Sequence, residues 1–190
     1  GQWMVENGQI PTTDVFSYTL SGTEWISVKW LFELLAYGFA AVSGPESIGI
    51  LQGLVNILLA FFFLKITQNL TQLVYEIKIN LSHPILILTG TIFLFAIDYR
   101  LIGRPEMFSH LFTIMYIQLF VQYKLKPGYF IFWLIPLQII WVNIHEGFAI
   151  GMVLIITFGL GYWIDNFLSK KLERKFANRI LFASGLALLA

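Results

Sequence analysis

The chain has 190 residues; 57% are hydrophobic, 17% aromatic and 12% charged, the formal net charge is +1, and there is no cysteine. Soluble domains carry about 25% charged residues, so this composition argues against an ordinary water-soluble globule and excludes a disordered chain. The lack of cysteine removes disulfide scaffolds and thiolate metal sites from consideration.

Residues 1–28 are the most polar stretch and read as a loop with local turns. Asn7-Gly8 is a turn pair, and Pro11 followed by Thr12, Thr13 and Asp14 reads as a turn or a helix start. Residues 24–44 are amphipathic and rich in Trp and Phe, with Lys29 and Glu33 spaced i,i+4. A charged pair deep in lipid is costly, so a helix lying in the membrane interface fits better than a span. Residues 1–46 are therefore expected to form a first extracytoplasmic loop containing that interfacial helix.

Five apolar segments follow and make up a transmembrane region over residues 47–167. They cover residues 47–67, 81–97, 105–123, 128–143 and 148–164. Several fall a little short of the roughly 20 residues that a bilayer needs. Pro136, inside the fourth, is expected to kink its helix. Residues 168–179 form a basic cytoplasmic loop, and residues 180–190 start a further apolar helix. The basic run KKLERKFANR at 170–179 is short and juxtamembrane. It suits contact with anionic lipid, and nucleic acid is not an expected partner. The apolar run at 180–190 and the missing initiator Met lead us to expect an internal piece of a longer polytopic helical membrane protein.

Alternating the five crossings sorts the charges. One side receives Lys65, Lys78, Lys124, Lys126, Lys170, Lys171, Arg174, Lys175 and Arg179; the other receives Lys29, Arg100 and Arg104. The positive-inside rule makes the first side cytoplasmic. Three polar segments then meet on the outer rim. They are the loop holding Asp14, Ser17, Tyr18 and Glu24, the link from Asp98 through Arg100 and Arg104 to Glu106, and the stretch from Trp141 through Asn143, His145 and Glu146.

Ionisable groups at membrane depth are functional candidates. Guanidinium groups suit phosphate, and a carboxylate serves as a base or holds a divalent cation. Plainer roles compete. Asp14 also fits a helix cap or an Asx turn, Arg100 and Arg104 fit ion pairs with Asp98 or Glu106, and Asn143 fits a helix-end cap. The six tryptophans fit membrane-belt anchors. Arg104-Pro105-Glu106 has the form of a helix start.

Three motifs, in order, resemble one family. The opening G-x-W-x-x-x-x-G-x-x-P-x-x-D-x-F-S-Y-T is present from Gly1 to Thr19, with Trp25 and Trp30-Leu31-x-Glu33 after it. RPEMFS follows at 104–109 and WVNIHEGF at 141–148. Over roughly residues 1–165 the chain resembles the GT-C-type multi-spanning glycosyltransferases. The resembling branch consists of bacterial proteins related to the dolichyl-phosphate-mannose and aminoarabinose transferases.

The resemblance implies an all-α bundle of eight or more spans, with a first helix before residue 1. It implies a polyprenyl-phosphate-linked sugar as donor and transfer with inversion to an acceptor hydroxyl, in a bacterial inner membrane. It makes Asp14 the catalytic base and Arg104 the phosphate contact, with Arg100 second. His145, Asn143, Tyr18 and Glu106 become pocket residues. A divalent cation, Mg or Mn, assists some relatives and not others. The sequence departs from the family pattern at Val15, at Val28-Lys29 and at Glu146. Those departures keep a non-catalytic assembly subunit open as an alternative, beside a transporter or flippase of lipid-linked substrates.

Overall fold

The structure, a computed structural model, describes residues 1–97 and 103–169, together with Phe182 and Gly185. The described residues form an all-α fold. Its helices are α1 (Gln2–Asn7), α2 (Trp30–Ser43), α3 (Ile48–Tyr75), α4 (Pro84–Ile97), α5 (Glu106–Leu125), α6 (Leu134–Ile144) and α7 (Phe148–Ser169). Short 3-10 turns at Pro45–Ser47 and Tyr129–Trp133 lead into α3 and α6. Extended pairing among the described residues amounts to an isolated antiparallel bridge between Thr13 and Glu24.

Local chemistry sets most of the helix ends. Gly8 closes α1 in the left-handed conformation that glycine adopts without a Cβ penalty. The first turn of the chain is thus helical, where a loop was expected. Pro105 stands just ahead of α5, and Glu106 sits in its first turn, where a carboxylate suits the helix dipole. Pro136 produces no kink inside a continuous helix. The segment changes from 3-10 to α at Leu134, which leaves Pro136 in the first turn of α6, where its missing N–H costs little.

Helix α5 is the axis of the packing. It buries Met107, Phe108, Leu111, Phe112, Tyr116 and Phe120 among side chains of α2, α3, α6 and α7. Rings lock the neighbours to it and to one another. Phe120 stacks on Phe158 of α7 at 4.4 Å, and Phe63 of α3 stacks on Phe93 of α4 at 3.9 Å. Gly90 lets α4 approach closely, since a Cβ there would lie 2.8 Å from Leu64. In the interior, the Tyr116 hydroxyl donates to Gln138 Oε1 at 2.7 Å. That bond satisfies a buried amide that would otherwise be costly.

Among the described residues, two stretches are long and apolar enough to cross a membrane, Pro45–Tyr75 and Phe148–Asp165. Three shorter apolar helices accompany them, at Trp30–Ser43, Pro84–Ile97 and Tyr129–Ile144. The starts of α2, α5 and α7 and the end of α6 share one end of the bundle, where the start of α3 also lies beside Gly103. The far ends of α5 and α7 meet through Lys124 and Asp165, 2.9 Å apart.

Candidate functional site

The shared end is built from side chains of four elements. His145 is the residue after α6, in extended backbone, and Gly147 follows before α7. The Gly147 N–H donates to His145 Nδ1 at 3.0 Å, so Nδ1 is an acceptor. Ser109 Oγ lies 2.8 Å from the same nitrogen and therefore donates to it. The proton of the neutral ring is then on Nε2, 3.9 Å from the Glu146 carboxylate. Ser109 Oγ in turn accepts the indole N–H of Trp141 at 2.8 Å. This relay from Trp141 through Ser109 to His145 fixes both the tautomer and the direction of the imidazole.

Two further contacts tie the first loop to this end. The Trp30 indole N–H donates to Asn143 Oδ1 at 2.7 Å. Asn143 also caps the last turn of α6 through its amide donor to the Ile139 carbonyl. Lys29 Nζ stands 3.7 Å from Glu146, so its ionic partner lies across the site, where the i,i+4 spacing had pointed to Glu33. Both groups are exposed, and the pair adds little stability. The Glu146 carboxylate is held below the usual range mainly by its own backbone N–H, with the Lys29 ammonium adding to the effect.

Asp14 is buried at the base of the loop spanning residues 12–25. The bridge from Thr13 to Glu24 closes that loop, with Asp14 N–H donating to the Thr23 carbonyl. Its Oδ1 accepts the N–H groups of Phe16 and Ser17, both at 2.9 Å, and its Oδ2 accepts the Ser17 hydroxyl at 2.5 Å. This is an Asx-type turn. The Ser17 hydroxyl, followed by the two amides, pulls the carboxyl below its ordinary 3.8.

The linkage has a definite sign. The loop gains order from this depressed acid at any pH above the ordinary carboxylate range and loses it as pH falls through the folded-state value. A 13C titration of the Asp14 carboxyl is expected to show a midpoint below 3.8 that moves upward in Ser17→Ala.

The other expected site residues are distributed unevenly. Arg104 is exposed ahead of α5, and Glu106 is half-buried in its first turn. Tyr18 is fully exposed on the loop that Asp14 anchors. Arg100 and Asp98 lie outside the described residues. The polar links therefore join Ser109, His145, Glu146 and Lys29, Asn143 is tied to Trp30 beside them, and Asp14 bonds within its own loop.

Sequence reasoning passed over Ser109 and Trp141. Ser109 lies inside RPEMFS but carried no assigned role, and Trp141 was grouped with the membrane-belt tryptophans. Trp141 is instead fully buried between Phe112 and Tyr116. The signal for Ser109 was its place one turn into a helix that starts at the Arg-Pro-Glu cap.

Gly147 is required by space. A Cβ there would lie 2.5 Å from Ser109 Oγ and 2.8 Å from His145 Nδ1. Gly147→Ala is expected to push the serine and histidine apart and to cost about 1–3 kcal/mol, as overpacking does. A lower melting temperature in detergent checks it.

Among the described residues no group of three or more His, Cys, Asp or Glu stands together to hold a metal ion. The donor set fits a divalent cation poorly, since Asp14 already receives hydrogen bonds on both oxygens and Nδ1 of His145 is taken. The chain matches no protein-family model, no curated protein and no solved structure.

Proposed function

We propose that the chain is part of a polytopic membrane glycosyltransferase. It moves a sugar from a polyprenyl-phosphate donor to an acceptor hydroxyl at the extracytoplasmic face. The observation that carries this reading is the meeting of Lys29, Ser109, Asn143, His145 and Glu146 at one end of the bundle. That end also holds the start of α5, where Arg104 stands exposed.

Burial supports the membrane part of the proposal. Only 22% and 17% of the two span-length windows are buried inside the protein. Ile57, Phe61, Ile92, Phe95 and Val153 face outward. In water such surface carries a penalty of about 25 cal/mol per Å², whereas hydrocarbon removes it.

In this reading the cations Arg104 and Lys29 and the Nε2–H of His145 receive the donor phosphate. The acceptor hydroxyl takes the place of Ser17's on Asp14 Oδ2 and gives its proton to that carboxylate as its oxygen attacks the anomeric carbon. The bond from that carbon to the phosphate oxygen breaks, and polyprenyl phosphate leaves with the electron pair. The competing reading, a non-catalytic assembly subunit, draws on the saturation of Asp14 by its own loop.

Sugar transfer from polyprenyl-phosphate donors by the full-length protein separates the two. Turnover is expected, and its absence across donors overturns the enzyme. The side of the membrane is checked independently, because the chain has no native cysteine to give background. A membrane-impermeant thiol reagent added to intact cells is expected to label Ser21→Cys and to spare Lys126→Cys.

A further inference from the structure

A cleft opens toward the opposite end of the bundle from His145, between α3, α5 and α6. Its volume is about 330 Å³. Phe61, Phe62, Trp133 and Leu137 form apolar walls, and Phe61 and Trp133 are also exposed to the outside. Lys65, Gln118 and Gln122 supply the polar groups.

Gln118 is more than nine-tenths buried, yet its Oε1 has no hydrogen-bond partner among the described residues. Its Nε2 reaches Gln122 Oε1 only at 3.3 Å. A buried acceptor left without a donor is costly, so a group that supplies one is favoured here. Lys65 Nζ meets a neutral partner, Gln68 Oε1, at 3.2 Å, and no carboxylate pairs with it among the described residues. By the charge sorting above, Lys65 belongs to the cytoplasmic end.

We infer that this cleft binds a membrane phospholipid whose headgroup carries both a phosphate and a hydrogen-bond donor. The phosphate pairs with Lys65, a headgroup hydroxyl donates to Gln118 Oε1, and the start of an acyl chain lies along Phe61, Phe62 and Trp133. The inference rests on the membrane part of the function proposed above. The site lies at the opposite end from His145 and needs none of the transfer chemistry.

The test uses the full chain in mixed micelles, with bound lipid counted by native mass spectrometry. The probes are phosphatidylglycerol, a net anion with headgroup hydroxyls, phosphatidylmethanol, a net anion with no donor, and phosphatidylcholine, whose phosphate is neutralised by its own quaternary ammonium and which has no donor. Retention is expected to fall at least fivefold from the first to the second, and again to the third. Gln118→Leu should reduce phosphatidylglycerol to the phosphatidylmethanol level. Lys65→Gln, at a half-buried position, should bring both to the phosphatidylcholine level. Unchanged selectivity in both variants overturns the site. Glycerol phosphate competing as well as the intact lipid overturns a lipid ligand in favour of a free phosphate compound. Extraction of the chain from membranes by alkaline carbonate sinks the membrane reading itself, a result distinct from either of these.

Discussion

Asp14→Asn is expected to lower sugar transfer by the full-length protein by about 100-fold or more, the usual scale for losing a positioned base. The fold of its loop should survive. The asparagine Oδ1 still accepts the amides of Phe16 and Ser17, and only the contact at Oδ2 changes from acceptor to donor. Ser17 can accept that new donor by turning its hydroxyl. Asp14→Ala removes both the base and the turn, so it should match Asn in rate and differ from it in loop order. Initial rates with both variants, alongside the exposure of Trp25 to a fluorescence quencher, separate the two roles. Asn at near-parental turnover with Ala disordered would mark Asp14 as a turn former and nothing more.

The sequence carried the helices well, because apolar runs and their caps are local signals. The start of α5 followed from Pro105 and Glu106, and the segments later seen as α3 and α7 were visible as uninterrupted apolar stretches. Helix ends were less legible: α3 runs on to Tyr75, through the polar residues Gln68, Asn69, Thr71 and Gln72. Nothing in a hydropathy reading extends a helix through such residues. Here hydrogen bonds hold them, as Thr67 and Thr71 bond back to their own helix and Gln68 reaches the Ile79 carbonyl.

The wiring around His145 was not legible in the sequence. Charge sorting placed Lys29, Arg104 and His145 at one end, and the structure joins that end through Ser109 and Trp30. Those joints depend on contacts 36 and 113 residues apart in sequence. A single sequence has no periodicity that encodes such pairs. Trp141 shows the same limit, since a tryptophan near a helix end suits a lipid interface and a buried donor equally well. Only the neighbours Phe112 and Tyr116 decide between them.

Trp141→Ala is expected to destabilise the bundle by about 3–5 kcal/mol, the range for truncating a buried large aromatic. The loss combines a cavity beside Phe112 and Tyr116 with the removal of the donor to Ser109. Gly151 on α7 approaches the same indole ring, and a Cβ there would lie 2.8 Å from it. Helix α7 therefore has little freedom to fill the space.

A double-mutant cycle isolates the hydrogen bond from the cavity. Ser109→Ala leaves the buried indole N–H without an acceptor, at about 1–3 kcal/mol. Trp141→Phe removes the donor along with part of the ring. The double variant, with neither partner left waiting, should cost less than the sum of the singles by about 1 kcal/mol. Reversible unfolding in mixed micelles supplies the four free energies. Transfer rates on the same four proteins give the functional half, because Ser109→Ala also frees His145 to turn. If Ser109 only fills space, the stability changes add and the rates stay level; if it orients the imidazole, both departures appear together.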